Sequence, residues 1–496
     1  MREKRDILLV MSDQHCDVWE VFGGLLKPSD TPAMEKLTRE GARYDHCYAS
    51  APLCVPSRMS FLTGRLTSEL DIFNNDCVLP SDVPTIAHEM GILGYHTVLC
   101  GRMHFKGEDQ HHGFDERLCG DITSQYWGTG GKKRTDFGTY AGTTNRLHCL
   151  EAVGAGISPV NVYDELVCRE TLFYLEQWEK QGEERPPLFL VAGFYGPHFP
   201  YVCEESLFLK YQERISLKDC ERDMEMEPFP MYQELKQGCD PELIRDCRAA
   251  YCGMVETLDG YVGQLYERFR SMEGESPHLF CYTSDHGEQM GRRQIFGKQT
   301  LYEEALRVPL YWAGDQIPAG KTYHQAVSLL DVSRTILEAA GGDPLEYPLH
   351  HGTPLAMTQE EEPRWVRAQQ VIRHDGHYVM AELAVRGNVK LWSVDGETRV
   401  YELPEEEVDL LQSIEKEKKN RAERLLEEAE RAGCFIPEEE RKRLLFMEQL
   451  QEKNHGRLAR WGMVKCPKEP ATVRMQAGSL KGPWRKKSAG EGEIER

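Results

Sequence analysis

The sequence predicts an α/β fold, built on a large, mostly parallel sheet with helices on both faces. Short apolar runs alternate with helical patterns over the first 340 residues of the 496-residue chain. Because strands that alternate with helices usually form parallel sheets, this order along the chain favours a layered α/β arrangement. Active sites of such sheets lie at the carboxyl ends of the strands, so polar residues that follow a strand become functional candidates.

Five apolar runs are predicted as strands of this sheet. They are DILLVMS (6–12), HTVLCG (96–101), LFLVAGF (188–194), HLFCYTS (278–284) and VPLYWAG (308–314). The stretches 82–93 and 248–269 carry apolar residues at three- and four-residue spacing, which is typical of amphipathic helices. Residues 200–247 are acidic and weakly periodic, and we interpret them as a long insertion near the site.

A smaller sheet and a charged extension are predicted after the first domain, which we place at 1–355. Residues 356–404 contain QVIRHDGHYVMAEL, NVKLWSV and TRVYEL, joined by DG and GN turns, which predicts a small antiparallel sheet. Residues 405–496 are rich in Glu, Lys, Arg and Leu and predict a helical extension. We expect this extension to pack on its own chain or on a second copy in a homo-oligomer, and to end in a disordered segment from about 481.

One helix of the extension is predicted from an apolar stripe. The stripe consists of Leu411, Ile414, Ala422, Leu425 and Ala429. Gly433 is predicted to end this helix, and Pro437 to open another, because Gly favours the position after a helix and Pro favours its first turn.

Composition narrows the classes of partner and compartment. The formal net charge of −21 at pH 7 argues against nucleic acid and anionic membranes, because both attract basic surfaces. The sequence contains no run of the roughly 18 apolar residues that a helix needs to span a bilayer. The N-terminal run ILLVM is too short for the core of a signal peptide, and the sixteen cysteines form no compact framework. We therefore expect a cytoplasmic protein with free thiols.

Two pairs of metal-binding residue types follow predicted strands. MSDQH (11–15) places Asp13 and Gln14 after the first strand, and YTSDHGEQMG (282–291) places Asp285 and His286 after another. Brought together at one edge of a sheet, such pairs form a site that suits a divalent cation. Each pair alone is more often a helix cap or a turn, so a metal site requires that both pairs meet.

Cationic residues and histidines follow other strands. GRMHF supplies Arg102 and His104, GPHFPY supplies His198, and FGKQT supplies Lys298. Each of them alone would most often be structural or solvated. Several of them at the ends of different strands fit an anion pocket, in which positive groups hold a tetrahedral oxyanion and a histidine protonates a leaving oxygen.

The segment CVPSRMSFLTGR (54–65) resembles the signature of type I sulfatases: Cys, any residue, Pro, Ser, Arg, three residues, then Leu-Thr-Gly. Supporting segments occur in family order, and they are MSDQH, GRMHF, GPHFPY, YCGMVETLDG, YTSDHGEQMG and VSLLDVSRTILEAAGG. The resemblance covers roughly residues 5–412. It implies the fold of the alkaline-phosphatase superfamily and the hydrolysis of sulfate esters.

The resemblance also implies a cofactor chemistry. Cys54 would be oxidised by a formylglycine-generating maturation enzyme to formylglycine, whose hydrate is the nucleophile. The modified Cys54 would bind a divalent metal, Ca²⁺ first and Mg²⁺ or Mn²⁺ as alternatives. The remaining metal ligands implied by the resemblance are Asp13, Gln14, Asp285 and His286.

The resemblance assigns the other candidates to the nucleophile and the sulfate group. Arg58 would support the formylglycine, and His104 would be the base that assists elimination. Arg102, His198 and Lys298 would bind sulfate, and either His198 or Lys298 would protonate the leaving alcohol.

Three positions depart from the commonest family pattern. Gln14 and His286 stand where many members have Asp and Asn, and Arg102 stands where Lys is usual. A branch that cleaves phosphonates or phosphodiesters shares the Gln and His pattern, so a phosphonate monoester hydrolase or phosphodiesterase is an alternative. The planar fork of Arg102 cannot occupy the place of a lysine unchanged.

The substrate expected first is the sulfate ester of a sugar. Residues 109–113 and the polar run Asn74, Asn75 and Asp76 are candidates for contacts with sugar hydroxyls. Choline sulfate is the alternative, and its quaternary ammonium would need an aromatic or acidic cage. The aromatic candidates for such a cage are Tyr126, Trp127 and Tyr201. A binding-only protein is a different class of hypothesis, which the complete set of site residues disfavours.

Overall fold

The computed structural model describes residues 4–17, 24–123, 150–182, 184–272, 277–342, 350–356, 362–403, 409–413 and 415–460. Tyr126, Trp127, Ile414 and the tail from about 481 lie outside these residues. The strands are β1 (Asp6–Asp13), β2 (Ala42–Tyr48), β3 (His96–Gly101), β4 (Glu116–Arg117), β5 (Val153–Ala155), β6 (Leu188–Pro197), β7 (Tyr201–Cys203), β8 (His278–Ser284), β9 (Arg307–Gly314), β10 (Lys321–Tyr323), β11 (Val327–Ser328), β12 (Val366–His374), β13 (His377–Arg386), β14 (Val389–Val394) and β15 (Glu397–Glu402). The helices are α1 (Pro32–Glu40), α2 (Cys54–Thr63), α3 (Thr67–Leu70), α4 (Ile86–Ile92), α5 (Pro159–Glu179), α6 (Glu205–Arg214), α7 (Leu217–Glu225), α8 (Pro241–Arg270), α9 (Glu303–Leu306), α10 (Leu329–Ala339), α11 (Lys416–Arg431) and α12 (Glu438–Arg460).

A nine-stranded sheet forms the centre of the molecule. Its order is β10-β2-β9-β8-β1-β6-β3-β4, and β11 also pairs with β2. All of its pairings are parallel except the two made by β9, which runs antiparallel to β2 and β8. Successive residues of β1 join different cores, with Leu9 on one face of the sheet and Leu8 on the other. The predicted mostly parallel sheet, buried on both faces, is confirmed.

The strand β2 was not predicted from the sequence. Its segment ARYDHCY holds charged residues among apolar ones, so it does not form an apolar run. The buried guanidinium of Arg43 pairs with Asp17, its Nη2 lying 2.9 Å from Oδ2. Because the charge is paired, a strand that does not look apolar can lie inside the sheet.

The stretch 200–247 is more regular than its weak periodicity indicated. It contains β7, α6, α7 and the start of α8. Helix α6 buries only Tyr211, so its buried face is hardly marked by apolar residues. Helices α6 and α7 both pack against α8, which anchors this stretch to the sheet.

The predicted small antiparallel sheet is also present, in the order β12-β13-β14-β15. Two of its hairpins turn at Asp375–Gly376 and Asp395–Gly396, where all four residues have positive φ. Such turns match the right-handed twist of the paired strands. The DG turns that were recognised in the sequence therefore set the register of this sheet.

The C-terminal helices α11 and α12 pack on the small sheet of their own chain. Ala422 and Ala429 of α11 lie in one apolar cluster with residues of β14, and Leu444 of α12 lies in another with Phe73. Helix α11 begins at Lys416, so Leu411 belongs to a separate turn at Leu410–Gln412. Homo-oligomerisation through these helices stays a prediction. Among the described residues, no helix is both long and apolar enough to cross a membrane.

Candidate active site

The two acidic pairs meet at the carboxyl ends of neighbouring strands. Strands β1 and β8 are parallel and in register, with Ser12 opposite Ser284. Asp13 and Asp285 therefore lie side by side, and the backbone N–H of Gln14 donates to Oδ1 of Asp285 over 3.0 Å. Gln14 has φ 70°, a left-handed conformation in which the chain leaves the strand.

Cys54 is the first residue of α2 and points into the same place. Its Sγ lies 3.7 Å from Oδ1 of Asp13 and 3.1 Å from Nε2 of His286, and the residue is completely buried. Burial first and then the carboxylate of Asp13 raise the pKa of the Cys54 thiol to about 11. The unmodified thiol is therefore protonated near neutral pH, which makes it a weak nucleophile.

Four of the five predicted metal-binding residues converge. One ligand atom from each of Asp13, Cys54, Asp285 and His286 lies within 4.8 Å of the others, and all four residues are buried. The Nδ1 of His286 lies 3.0 Å from the carbonyl oxygen of Gly287, which can only accept, so Nδ1 carries the ring proton. Since burial lowers the pKa of His286, the ring is neutral and its Nε2 lone pair faces Cys54. Two carboxylates and such an imidazole fit a divalent cation.

Arg58 holds the two carboxylates in place from one turn along α2. Its Nε donates to Oδ2 of Asp285 over 2.8 Å, and its Nη2 donates to Oδ2 of Asp13 over 3.1 Å. Ser57 adds a hydrogen bond from its hydroxyl to the carbonyl oxygen of Asp285 over 2.6 Å. The fork of the guanidinium therefore sets the spacing of the two carboxylates beside Cys54.

Arg102 follows β3 and contacts three site groups. Its Nε donates to Oδ2 of Asp13, its Nη1 to Oδ1 of Asp121 over 3.2 Å, and its Nη2 to Nδ1 of His104 over 2.8 Å. Asp121 also accepts from the backbone N–H of His104 over 2.9 Å. The binding of sulfate by Arg102 stays a prediction, because its nitrogen atoms here serve protein partners.

Because a guanidinium can only donate, Nδ1 of His104 must accept from Arg102. Burial first, then the charge of Arg102, lower the pKa of His104 well below its usual value, so the ring is neutral. Its single proton then lies on Nε2, which is buried and has no hydrogen-bond partner in the described part of the chain. In this tautomer His104 offers a donor, whereas a general base would need a lone pair at Nε2.

His198 and Lys298 approach the site from β6 and from the loop before α9. His198 Nδ1 lies 2.8 Å from the carbonyl oxygen of Phe199, so its Nε2 lone pair is left over, and that atom has no partner among the described residues. Lys298 Nζ donates to Oε1 of Gln14 over 2.5 Å. Gln14 is thus brought to the site as predicted, but its side-chain oxygen contacts the lysine.

The charges of this site act on one carboxylate. Burial alone would raise the pKa of Asp13, but the cationic groups around it, Arg102 first and then Arg58 and Lys298, hold it well below its usual range. Asp13 is therefore an anion at neutral pH although it is completely buried. The anionic oxygens of Asp13 suit a metal ion, and the cationic groups around them suit a bound oxyanion.

Three further residues support the site. Glu288 accepts from Nε2 of Gln14 and from the backbone N–H of Gly297, which fixes the orientation of that glutamine amide. Asp121 holds Arg102 and His104, and the Oδ1 of Asn75 accepts from the backbone N–H of Val55 over 2.9 Å. Glu288 lies inside the YTSDHGEQMG segment and could have been found there. Asp121 carries no local signal, and Asn75 was considered only for sugar contacts.

A cavity of about 450 Å³ lies beside the start of α2, between the small sheet and α12. Leu53 and Gln299, the neighbours of Cys54 and Lys298, contribute to its wall. Four carboxylates and one guanidinium also line it, and they are Asp76, Glu234, Glu448, Glu452 and Arg373. Tyr201, a predicted cage residue, is buried and stacks edge-on against Phe199, while residues 109–113 do not line the cavity.

This fold and this arrangement of residues define a hydrolase of the alkaline-phosphatase superfamily. The family model named Sulfatase matches residues 5–342, so the chain belongs to the sulfatase family. This membership, with relatives named choline-sulfatase and arylsulfatase, supports a sulfuric ester hydrolase. A choline-sulfatase of Rhizobium meliloti (strain 1021) is 32% identical over an alignment of 372 residues, and the match covers 68% of each protein.

Solved structures share the fold at low sequence identity. A phosphonate monoester hydrolase from Silicibacter pomeroyi superposes with a TM-score of 0.62 at 18% identity, covering 86% of this chain and 95% of that one. A 2-O GAG sulfatase superposes with a TM-score of 0.62 at 17% identity, covering 87% and 93%. Both superpositions cover more of this chain than the family model does.

Proposed function

We propose that this sulfatase hydrolyses a sulfate monoester to an alcohol and inorganic sulfate, with a nucleophile made by oxidation of Cys54. The observation that carries the proposal is the position of Cys54 at the start of α2, against Asp13 and His286, within the complete CVPSRMSFLTGR segment. Formylglycine at this position would supply a hydrated aldehyde, and a cation held by Asp13, Asp285 and His286 would polarise the nucleophile and sulfate oxygens.

The residues around Cys54 have different roles in the proposed reaction. Arg58 keeps Asp13 and Asp285 at a fixed spacing, and Lys298 offers a positive donor beside Gln14. Lys298 is a donor by its nature, whereas the neutral His198 presents a lone pair. Of these two residues, Lys298 is therefore the better proton donor for the leaving alcohol at neutral pH.

The test combines mass spectrometry with turnover. Peptide mass spectrometry of 53–65 measures the formylglycine fraction, and hydrolysis of 4-nitrophenyl sulfate should rise in proportion to it. Cys54→Ala should abolish turnover with the fold retained, whereas Cys239→Ala, at a half-buried cysteine that lines no part of the site, should keep it. Near wild-type turnover by Cys54→Ala would overturn the formylglycine mechanism.

The cavity beside α2 favours a substrate whose alcohol part carries a cationic group. Its four carboxylates outnumber its one guanidinium, and the rings of Phe73 and Tyr378 line it as well. Acidic and aromatic groups together bind a quaternary ammonium, and the relative from Rhizobium meliloti is named a choline-sulfatase. A sugar sulfate, expected first from the sequence, is the second candidate because Asn74 and Asp76 also line the cavity and could bind hydroxyl groups.

The two candidates differ in charge, which decides the experiment. Choline sulfate and N-acetylglucosamine 6-sulfate should be compared on one matured preparation. If the cavity binds a cation, Glu234→Gln raises KM for choline sulfate and does not raise KM for the sugar ester, whose alcohol part carries no positive charge. A higher kcat/KM for the sugar ester, with no effect of Glu234→Gln, would favour the second candidate.

A further inference from the structure

Helix α12 lies beyond the matched family region, yet it contacts the segment beside the nucleophile. Arg443 pairs with Asp71 through two hydrogen bonds of 2.8 and 3.2 Å. Leu444, fully buried, packs in one cluster with Phe73. One turn further along, Glu448 is 6% exposed and accepts from Nδ2 of Asn74 over 3.1 Å. A single face of α12 therefore binds residues 71–74.

Asn74 is held in one orientation at the start of a tight turn. Its Oδ1 accepts from the backbone N–H of Asp76 over 2.9 Å, and its carbonyl oxygen accepts from the backbone N–H of Cys77. Because Oδ1 is used within the turn, Nδ2 must face outward, where the carboxylate of Glu448 receives it. Glu448 thus fixes the side chain that organises the turn.

Asn75, the next residue, reaches the nucleophile helix. Its Oδ1 accepts from the backbone N–H of Val55 over 2.9 Å. That N–H belongs to the first turn of α2 and has no acceptor within the helix, so a side chain from elsewhere in the chain caps it. The cap lies one residue from Cys54, and a shift of this turn moves the start of α2.

On the basis of the proposed function at Cys54, we propose that Glu448 is a positioning residue for the nucleophile. It acts through Asn74 and Asn75 on the first turn of α2, so the C-terminal helix belongs to the catalytic unit. Loss of the carboxylate frees Asn74, loosens the cap on Val55 and spoils the position of the group that attacks sulfur.

The decisive variants are Glu448→Ala and Glu448→Gln in the full chain. Gln keeps an oxygen that accepts from Asn74, whereas Ala does not. The matched control is Glu438→Ala, at an exposed carboxylate of α12 that pairs with Lys442 and lines no part of the cavity. On a preparation with measured formylglycine content, we expect Glu448→Ala to lower kcat for 4-nitrophenyl sulfate roughly tenfold, and Glu448→Gln to stay within about threefold of wild type.

Two further readouts separate positioning from other roles. Hydrogen exchange at the Val55 amide should be faster in Glu448→Ala, and unchanged in Glu448→Gln and Glu438→Ala. The effects of Glu448→Ala and Asn75→Ala on kcat should be less than additive, because both act on one cap. The exchange measurement needs no turnover, so it decides the proposal even if the wild type hydrolyses no sulfate ester. Unchanged exchange in Glu448→Ala, or a rise in KM alone, would overturn it.

Discussion

Arg102 and His104 are joined by a hydrogen bond of 2.8 Å in which the guanidinium Nη2 is the donor and the imidazole Nδ1 the acceptor. This bond places the single proton of the neutral imidazole on Nε2. The resemblance to sulfatases implies that His104 is a base. The substitution of Arg for the usual Lys at position 102 brings a planar donor to Nδ1, and with it a tautomer suited to donation.

The first prediction tests this tautomer. A glutamine amide can donate from nearly the place of Nε2 but cannot act as a base. If His104 is a donor to a developing oxyanion, His104→Gln should stay within about tenfold of wild-type kcat, whereas His104→Ala should lose roughly a hundredfold. Histidine-selective ¹⁵N NMR should also show the His104 proton on Nε2. Equal losses of kcat in both variants, together with the proton on Nδ1, would instead support His104 as a general base.

The second prediction concerns the metal. Asp285→Asn keeps the shape of the side chain and removes a negative charge beside Asp13 and His286, so the affinity for Ca²⁺ or Mn²⁺ should fall roughly tenfold or more. Calorimetric titration and elemental analysis measure this without turnover. Asp259→Asn is the control, since Asp259 is equally buried but caps the start of α1 through the backbone of Ala33 and Met34. Unchanged binding in Asp285→Asn would place the cation elsewhere.

Much of this site could be predicted because its residues follow strands that contain a central apolar run. Strands β3 and β8 have the predicted bounds, and parallel pairing brings Asp13 and Asp285 together without further information. Strand β2 was missed because the charge of Arg43 is neutralised by Asp17, a contact that spacing does not reveal. The same holds for Asp121 and Asn75. Asp121 acts through hydrogen bonds to Arg102 and His104, and Asn75 acts through one to Val55. None of these partners is adjacent in the sequence, so the local pattern does not reveal them.

The third prediction concerns the buried ion pair between the small sheet and the segment before β9 of the large sheet. Lys390 of β14 is fully buried and donates to Oε1 of Glu303 over 2.8 Å, and Glu303 also accepts from the hydroxyl of Tyr48 over 2.9 Å. Glu303→Ala leaves the ammonium without this carboxylate, so it should lower the free energy of unfolding by about 3–5 kcal/mol. Urea denaturation measures the change. Glu303→Leu combined with Lys390→Met should cost less than the single variant, and a larger cost in the double variant would contradict this account.

The last prediction concerns the ester that is cleaved. A sulfate monoester carries one negative charge, whereas a phosphate monoester near neutral pH carries almost two. Phosphodiesters and phosphonate monoesters share the single charge, but they add a second organic group on the central atom. His198 and Lys298 are 0% and 4% exposed, so a second organic group beside them would have to fit between side chains that are already buried.

We therefore expect kcat/KM for an aryl sulfate to exceed that for the matching aryl phosphonate and phosphodiester by roughly a hundredfold, measured on one matured preparation. His198→Ala should narrow this ratio, because it opens space beside the central atom, and it should lower sulfate turnover at the same time. A preference for phosphonates or phosphodiesters would also have a physical basis in this chain. The branch of the superfamily that cleaves those esters has the same residue types as Gln14 and His286 at the matching positions. A higher kcat/KM for either phosphorus ester would overturn sulfate hydrolysis as the main activity of this chain. The fold, the meeting of Asp13 with Asp285 and the cap on Val55 would be unaffected by that outcome.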